Sequence, residues 1–170
     1  MKIAFRNNYF FLQSFNSYNE LNFFLSKKDC KKLLLHERGQ SFYYALVESE
    51  TLNQKELSVL AFSSDSPSEK LFFTFWPEAD LKVLADRSKL YLVDHSCSMI
   101  ADFEISTPLI GLHITNTGTL LILEEAAMKL VDRNGKVMLN EGFDLIHDFS
   151  IQNDLLVLDT YSGEKVFSLA

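Results

Sequence analysis

The residue types that can do chemistry come closest together at Asp94-His95-Ser96-Cys97, where a carboxylate, an imidazole, a hydroxyl and a thiol follow one another. A tetrahedral metal site needs four ligands, commonly two short-spaced pairs. Cys30 lies 67 residues upstream and no second cluster joins it. No metal is therefore expected, and the segment reads as a hairpin turn with a buried thiol. A Ser–His–Asp or Cys–His nucleophile assembles in space, so spacing alone does not exclude one, but the Gly-x-Ser-x-Gly elbow is absent. His113 and His147 stand at matching points of two similar segments, which makes them repeat positions first and an acid–base pair second. Glu124 and Glu125, as neighbours on a strand, point to opposite faces and do not form a glycosidase pair; they read as a solvated strand end. Gly111, Gly118, Gly135, Gly142 and Gly163 are spaced as turns, never as a phosphate-cradling Gly-x-Gly-x-x-Gly. The aromatic run of Tyr9, Phe10, Phe11, Phe72, Phe73, Phe75 and Trp76 reads as core mass before it reads as a base-stacking surface. No enzyme and no cofactor is expected.

Strands must position whatever these residues do. Asn134-Gly135 divides two alternating apolar runs, Met128–Val131 and Lys136–Leu139, and predicts a hairpin of type I′, where both central residues take positive φ. Leu155–Leu158, with Ser162-Gly163 before Val166-Phe167, predicts a second hairpin, and Leu90–Val93 followed by Asp94 and Met99-Ile100 a third. Asp94, Asp132 and Asp159 each close an apolar run, as turn-opening carboxylates do. Ala101–Ile105 alternates as a half-buried strand should. Earlier in the chain, Phe42–Val47, Leu57–Phe62 and Leu71–Trp76 carry the aromatic and β-branched residues that favour strands, with Ser63–Ser68 as a loop. Ser17 as N-cap, with Leu21, Phe24 and Leu25 at helical spacing, predicts one short helix. Asn53 and Glu56 could cap another, but strand is preferred there.

The 170 residues, 47% hydrophobic and 23% charged, match one globular domain over 1–170. No apolar run reaches the roughly 18–20 residues of a membrane helix, and Met1–Asn8 lacks the apolar core of a secretory signal. A cytoplasmic protein with free Cys30 and Cys97 is the expectation. The net charge of −7 is unevenly divided. Residues 1–76 sum to +1 and hold sixteen of the twenty-two aromatics; residues 77–170 sum to −8. An acidic half repels phosphate backbones and attracts basic surfaces. Binding to nucleic acid or membrane is not expected; binding to a basic protein is.

Repetition is the remaining signal. Leu109–Ile114, Asn116-Thr117-Gly118 and Thr119–Leu123 look copied in Leu145–Ile151, Gln152-Asn153-Asp154 and Leu155–Leu158. Leu90, Leu120 and Leu155 lie at offsets of 30 and 35. In Leu90–Asp94, Leu120–Glu124 and Leu155–Asp159 the chain resembles propeller-type repeats, over roughly its last 90 residues, although the Trp-Asp and Gly-His pairs of WD40 blades are missing. A closed ring needs about four blades of 40–45 residues, and the first 30 residues do not repeat. The expected fold is mainly β: antiparallel propeller-like repeats in an open or half propeller, with at most a short N-terminal helix.

In its small size, acidity, β content and freedom from motifs the chain resembles the bacterial immunity proteins that neutralise contact-dependent or polymorphic toxins. That resemblance implies a non-enzymatic inhibitor that binds a cognate toxin domain, a basic nuclease, and covers its active site. The partner-binding residues would be Asp102, Glu104, Glu124, Glu125, Asp132, Glu141, Asp144, Asp148 and Asp154. The competing expectation is a structural interaction scaffold, a truncated propeller serving as one subunit of a larger assembly.

Overall fold

A computed structural model describes residues 2–5, 8–37, 39–50 and 56–169. Four sheets stand in a row, and the chain visits them in order. The first comprises β1 (Lys2–Phe5), β2 (Asn8–Phe15), β3 (Lys31–Leu35), β4 (Phe42–Ser49) and β5 (Glu56–Ser64), in the order β1-β2-β4-β5-β3. All its pairings are antiparallel except β3 against β5. Three meanders follow: β6 (Phe72–Trp76) to β9 (Met99–Glu104) through β7 (Leu81–Ala85) and β8 (Lys89–Asp94); β10 (Leu109–Ile114) to β13 (Val137–Gly142) through β11 (Leu120–Glu124) and β12 (Ala127–Val131); and β14 (Ile146–Gln152), β15 (Leu155–Thr160) and β16 (Gly163–Ser168). Consecutive strands pair throughout the three meanders. The fold is mainly β and propeller-like, as the repeats predict.

The meanders open at Phe72, Leu109 and Ile146, a spacing of 37 residues each time. This corrects one sequence alignment. Leu120 and Leu155 both begin second strands, but Leu90 belongs to a third strand, so the offset of 30 joins positions that are not equivalent. The apolar runs of β8 and β11 look alike because both strands are buried on two faces, and period alone does not number the strands.

Burial on two faces explains why the central strands are almost wholly apolar. Leu120 and Ile122 pack with Leu81, Val83, Leu90 and Leu92 of the second sheet, whereas their neighbours Leu121 and Leu123 pack with Leu156 and Leu158 of the fourth. Leu84, Tyr91 and Val93 turn the other way, onto Phe10, Tyr44, Leu46, Leu60 and Phe62 of the first sheet. The far face of the first sheet is covered by α1 (Tyr18–Ser26), the predicted helix. Ser17 Oγ accepts from the Glu20 amide at 3.2 Å, and Glu20 Oε2 accepts from the Asn16 amide at 2.9 Å, so the first turn is capped from both sides. Leu21 and Leu25 rest on Ala45, Val47, Val59 and Ala61. Ala45 and Ala61 are cross-strand partners, and their small side chains make the seat for the helix. With α1 on this face, none of the described sheets packs against this end of the row.

One turn design serves three hairpins. Asp94, Thr115 and Asp132 accept through their carbonyls from the amides of Cys97, Gly118 and Gly135, and donate their own amides to the carbonyls of Ser98, Thr119 and Lys136. The fourth residue of each turn has positive φ: 62° at Cys97, 75° at Gly118 and 78° at Gly135. Asn134 is not among the positive-φ residues, so the Asn134-Gly135 turn is a type I turn with a glycine bulge rather than type I′. The type I′ geometry occurs at Asn153 and Asp154 instead (φ 50° and 59°). Asp159 opens no turn; it lies within β15 opposite Glu164. The helix considered at Asn53 falls at a position outside the described residues, and Glu56 opens β5.

Gly135 also permits a close approach between sheets, since a Cβ there would lie 2.7 Å from Ala101 Cβ. Gly135→Ala is expected to cost about 2 kcal/mol or more in chemical denaturation, from positive φ and overpacking together. Gly142→Ala, where a Cβ would meet nothing within 4 Å, should change stability by less than about 0.5 kcal/mol.

Candidate functional site

At the sequence cluster Asp94-His95-Ser96-Cys97 the groups serve the turn. Burial pushes the Asp94 carboxyl upward, but the Ser98 amide and the Ser96 hydroxyl and amide hold it below the usual range. Ser96 Oγ donates to it at 2.7 Å and the Ser98 amide at 2.8 Å. Cys97 is buried with Sγ 4.0 Å from the Val59 carbonyl oxygen, and His95 points outward, 3.4 Å from Asp80. Among the described residues no group of three or more His, Cys, Asp or Glu is placed to hold a metal. His113, fifth residue of β10, stands opposite Leu121, while His147, second residue of β14, lies beside Tyr161 with ring centroids 6.1 Å apart, so the two histidines do not hold matching strand positions. No helix among the described residues is long and apolar enough to cross a membrane.

A second constellation went unread in the sequence. Lys82 Nζ lies 2.6 Å from Glu48 Oε2 and 2.9 Å from Ser58 Oγ, while Ser58 Oγ donates to Glu48 at 2.6 Å and Asn8 Nδ2 donates to it at 2.7 Å. A serine beside a lysine is a nucleophile–base arrangement in some hydrolases. Here Ser58 and Lys82 are each only 2% exposed, and the serine hydroxyl is already shared between the two charges. The group is a clamp between the first and second sheets. Its one visible sign was a charge inside the apolar run Leu81-Lys82-Val83-Leu84-Ala85. At the other end of that interface Ser64 Oγ donates to Asp86 Oδ2 at 2.7 Å, and Asp86 Oδ1 accepts from the Ser88 and Lys89 amides at 2.8 and 2.9 Å. Lys82→Ala strands a buried carboxylate and should cost about 3–5 kcal/mol in denaturant unfolding. Burial would raise the Glu48 pKa, but hydrogen bonds from Lys82, Ser58 and Asn8 hold it below its ordinary value. A lowered folded pKa means that the unfolded chain takes up the proton more readily. The contribution of Glu48 is therefore complete above about pH 4.3 and lost as pH falls further. Glu48→Gln should flatten that acid loss in a pH series of unfolding curves.

The nine carboxylates proposed from sequence separate into two kinds. Glu124 is not on a surface at all: it is fully buried, pairs with Lys129, and accepts from the Ser106 and Thr107 amides at 2.8 and 2.9 Å. It closes the β9–β10 connection, so it cannot meet a partner and neutralising it would not leave the fold intact. Glu125 is half-buried in the β11–β12 turn, with its amide on the Pro108 carbonyl and its carbonyl taking the Ile146 amide. Asp132 caps its own turn, accepting from the Asn134 and Lys136 amides at 2.9 Å each. Asp154 ties the fourth sheet to the third through the Asn116 amide at 3.1 Å and Nδ2 at 2.8 Å. At Asp144 desolvation raises the carboxyl pKa, and hydrogen bonds from Ser162 and Thr160 bring it below the usual range. Asp102, Glu104, Glu141 and Asp148 are exposed. Asp102 and Glu104 lie on the edge strand β9 of the second sheet, with Glu104 3.5 Å from Lys89, and Glu141 on the edge strand β13 of the third.

Only Asp148 lies on an open sheet face, and two acids not proposed from sequence join it. Cross-strand partners share a face, so the outer surface of the fourth sheet follows from its register. Asp148, Asp159 and Glu164 form one row across β14, β15 and β16; Ser150, Val157 and Val166 form the next; Gln152, Leu155 and Ser168 the third. The opposite face carries Leu156, Leu158 and Phe167 into the core. Val166 is 56% exposed and Leu155 46%. Three like charges stand side by side, about 5 Å apart at Cβ, and among the described residues no ion pair relieves them. Lys165 goes to the other face, opposite Leu158, and stands 5.1 Å over the Phe143 ring. Directly opposed like charges destabilise a sheet, so Asp159→Asn should raise Tm by about 1–2 °C at low salt and by less as salt screens the row. A thermal melt series in salt reads both.

No family model matches the sequence, and no curated protein matches it. Among solved structures, BamB from Moraxella catarrhalis aligns at a TM-score of 0.47 and 10% identity, over 74% of this chain and 39% of BamB. Kluyveromyces lactis Hsv2 aligns at a TM-score of 0.34 and 12% identity, over 58% of this chain and 32% of Hsv2. A Bacteroides caccae protein of unknown function aligns at 0.36 and 9%, over 80% of this chain and 58% of that one. The chain thus spans less than two thirds of each of these structures.

Proposed function

We propose that this chain is a non-enzymatic binding protein that docks a basic protein on the outer face of its fourth sheet. The observation that carries the reading is the exposed carboxylate row Asp148–Asp159–Glu164 on a sheet face that none of the described residues covers. The row works against the stability of its own sheet, and a basic partner offsets that cost. In its finer form the partner is a cognate toxin domain, a nuclease whose Lys and Arg side chains are meant for phosphates. The carboxylates then occupy those cations and the docked chain covers the active site. Steering by a single-sign face raises association rates by about 10–10³-fold, an advantage for an inhibitor that must arrive before its target acts.

A second reading, a structural scaffold in a larger assembly, draws on the exposed apolar side chains Met99, Ile100, Val137 and Met138 at the starts of the edge strands β9 and β13. The two readings use different surfaces. Affinity-tagged protein should bring down a basic protein from the cell of origin, and purified chain should inhibit that protein's activity at equimolar amounts. Asp148→Asn/Asp159→Asn/Glu164→Gln should slow association at least about tenfold at low salt, with the difference shrinking as the Debye length falls to about 8 Å. Loss of binding on Met138→Ser and Ile100→Ser, with the acid triple variant unaffected, would assign the scaffold reading instead.

A further inference from the structure

Resting on the basic-partner reading, we propose that the occupant of the fourth sheet's outer face is an amphipathic basic α-helix of the partner, lying across the three strands. The area available sets the scale. Three strands at about 4.8 Å and six residues at about 3.3 Å make a face of roughly 14 by 20 Å. That is one helix diameter of about 10 Å with margin.

The row pattern sets the spacing. Asp148, Asp159 and Glu164 succeed one another from strand to strand, at about 4.8 Å per step. Helical residues three or four apart are about 5–6 Å apart, so cations at i, i+4 and i+7 follow the row. A partner strand laid in the same direction presents a residue about every 6.7 Å on one side and falls out of step by the third charge. The neighbouring row supplies the other half of the match. Val157 and Val166, with Leu155 beyond them, receive the apolar stripe beside the cationic one. The molecule already uses this arrangement at its other end, where Leu21 and Leu25 of α1 cover the first sheet. The seat there is uncharged, Ala45, Val47, Val59 and Ala61, and takes a helix of this chain; the charged seat takes a basic one. A second copy meeting face to face would set carboxylate against carboxylate.

The probe is a labelled synthetic peptide of about four turns, Ala-based, with Arg at i, i+4 and i+7 and Leu on the adjoining stripe. A control peptide of equal composition carries its Arg at every second position. Fluorescence anisotropy at low salt should show the helical-register peptide binding at least about tenfold tighter than the control, with the same loss on the triple variant Asp148→Asn/Asp159→Asn/Glu164→Gln. Circular dichroism should show the bound peptide gaining helix. The triple variant relieves like-charge contacts, so a melting temperature equal to or above wild type certifies its fold. Equal binding of the two peptides, unchanged binding by the triple variant, or a wild-type dimer that the triple variant dissolves would each overturn the helix. If the native partner's binding depends on the row while the peptides are not distinguished, the basic-partner reading stands and the helix falls. A native partner insensitive to the row removes both.

Discussion

Leu121 and Ile122 are neighbours on one strand and point into different cores, Leu121 toward the fourth sheet and Ile122 toward the second. Everything else about the molecule follows from that two-sided burial. A small sheet is stable in water only with its apolar face covered, and each one here has another sheet, or a helix, on its face. The arrangement makes the stability of every sheet conditional on its neighbours. It also makes the ends of the row special, because an end sheet has one face that its own chain need not cover.

Apolar faces slide over one another more readily than polar groups change partners. The interface between the first two sheets is pinned by polar groups near both of its margins, Glu48 with Lys82 and Ser58 on one side and Ser64 with Asp86 on the other. Between the second and third sheets Glu124 and Lys129 do comparable work from within one sheet, holding the connecting loop at Ser106 and Thr107, and the Trp76 indole donates to the Gly118 carbonyl at 3.2 Å. Each clamp uses charge inside the stack, where its geometry admits one pairing, and so specifies the register that hydrophobic contact leaves loose.

How much of this was legible depended on the range of the signal. The hairpins at Asp94, Asn134-Gly135 and Ser162-Gly163 and the helix after Ser17 are written in four to nine consecutive residues, and the structure has them where the pattern puts them. The turn type at Asn134-Gly135 was misread because dipeptide preference says nothing about the extra bulge residue that Asp132 stabilises. The acidic face was only partly legible, for a reason of register. Asp159 looked like a turn residue until its pairing with Glu164 placed it on a strand, and Glu124 looked exposed until the β9–β10 connection folded over it. A charge at a strand end is solvated or buried according to segments twenty or more residues away, and no local pattern carries that information. Lys82 was the opposite case: its position in an apolar run was in plain view, and its meaning depended on finding Glu48.

The helix over the first sheet has a consequence for counting. A row of sheets with both ends bare adds copies at either end and grows without limit, as any head-to-tail contact does when its rotation fails to close. Among the described residues, α1 occupies one terminus of the row and the outer face of the fourth sheet is its open end. Whatever covers that end is taken up one per chain, so a complex formed through it has fixed stoichiometry and finite size, and added protein yields more complexes rather than longer ones.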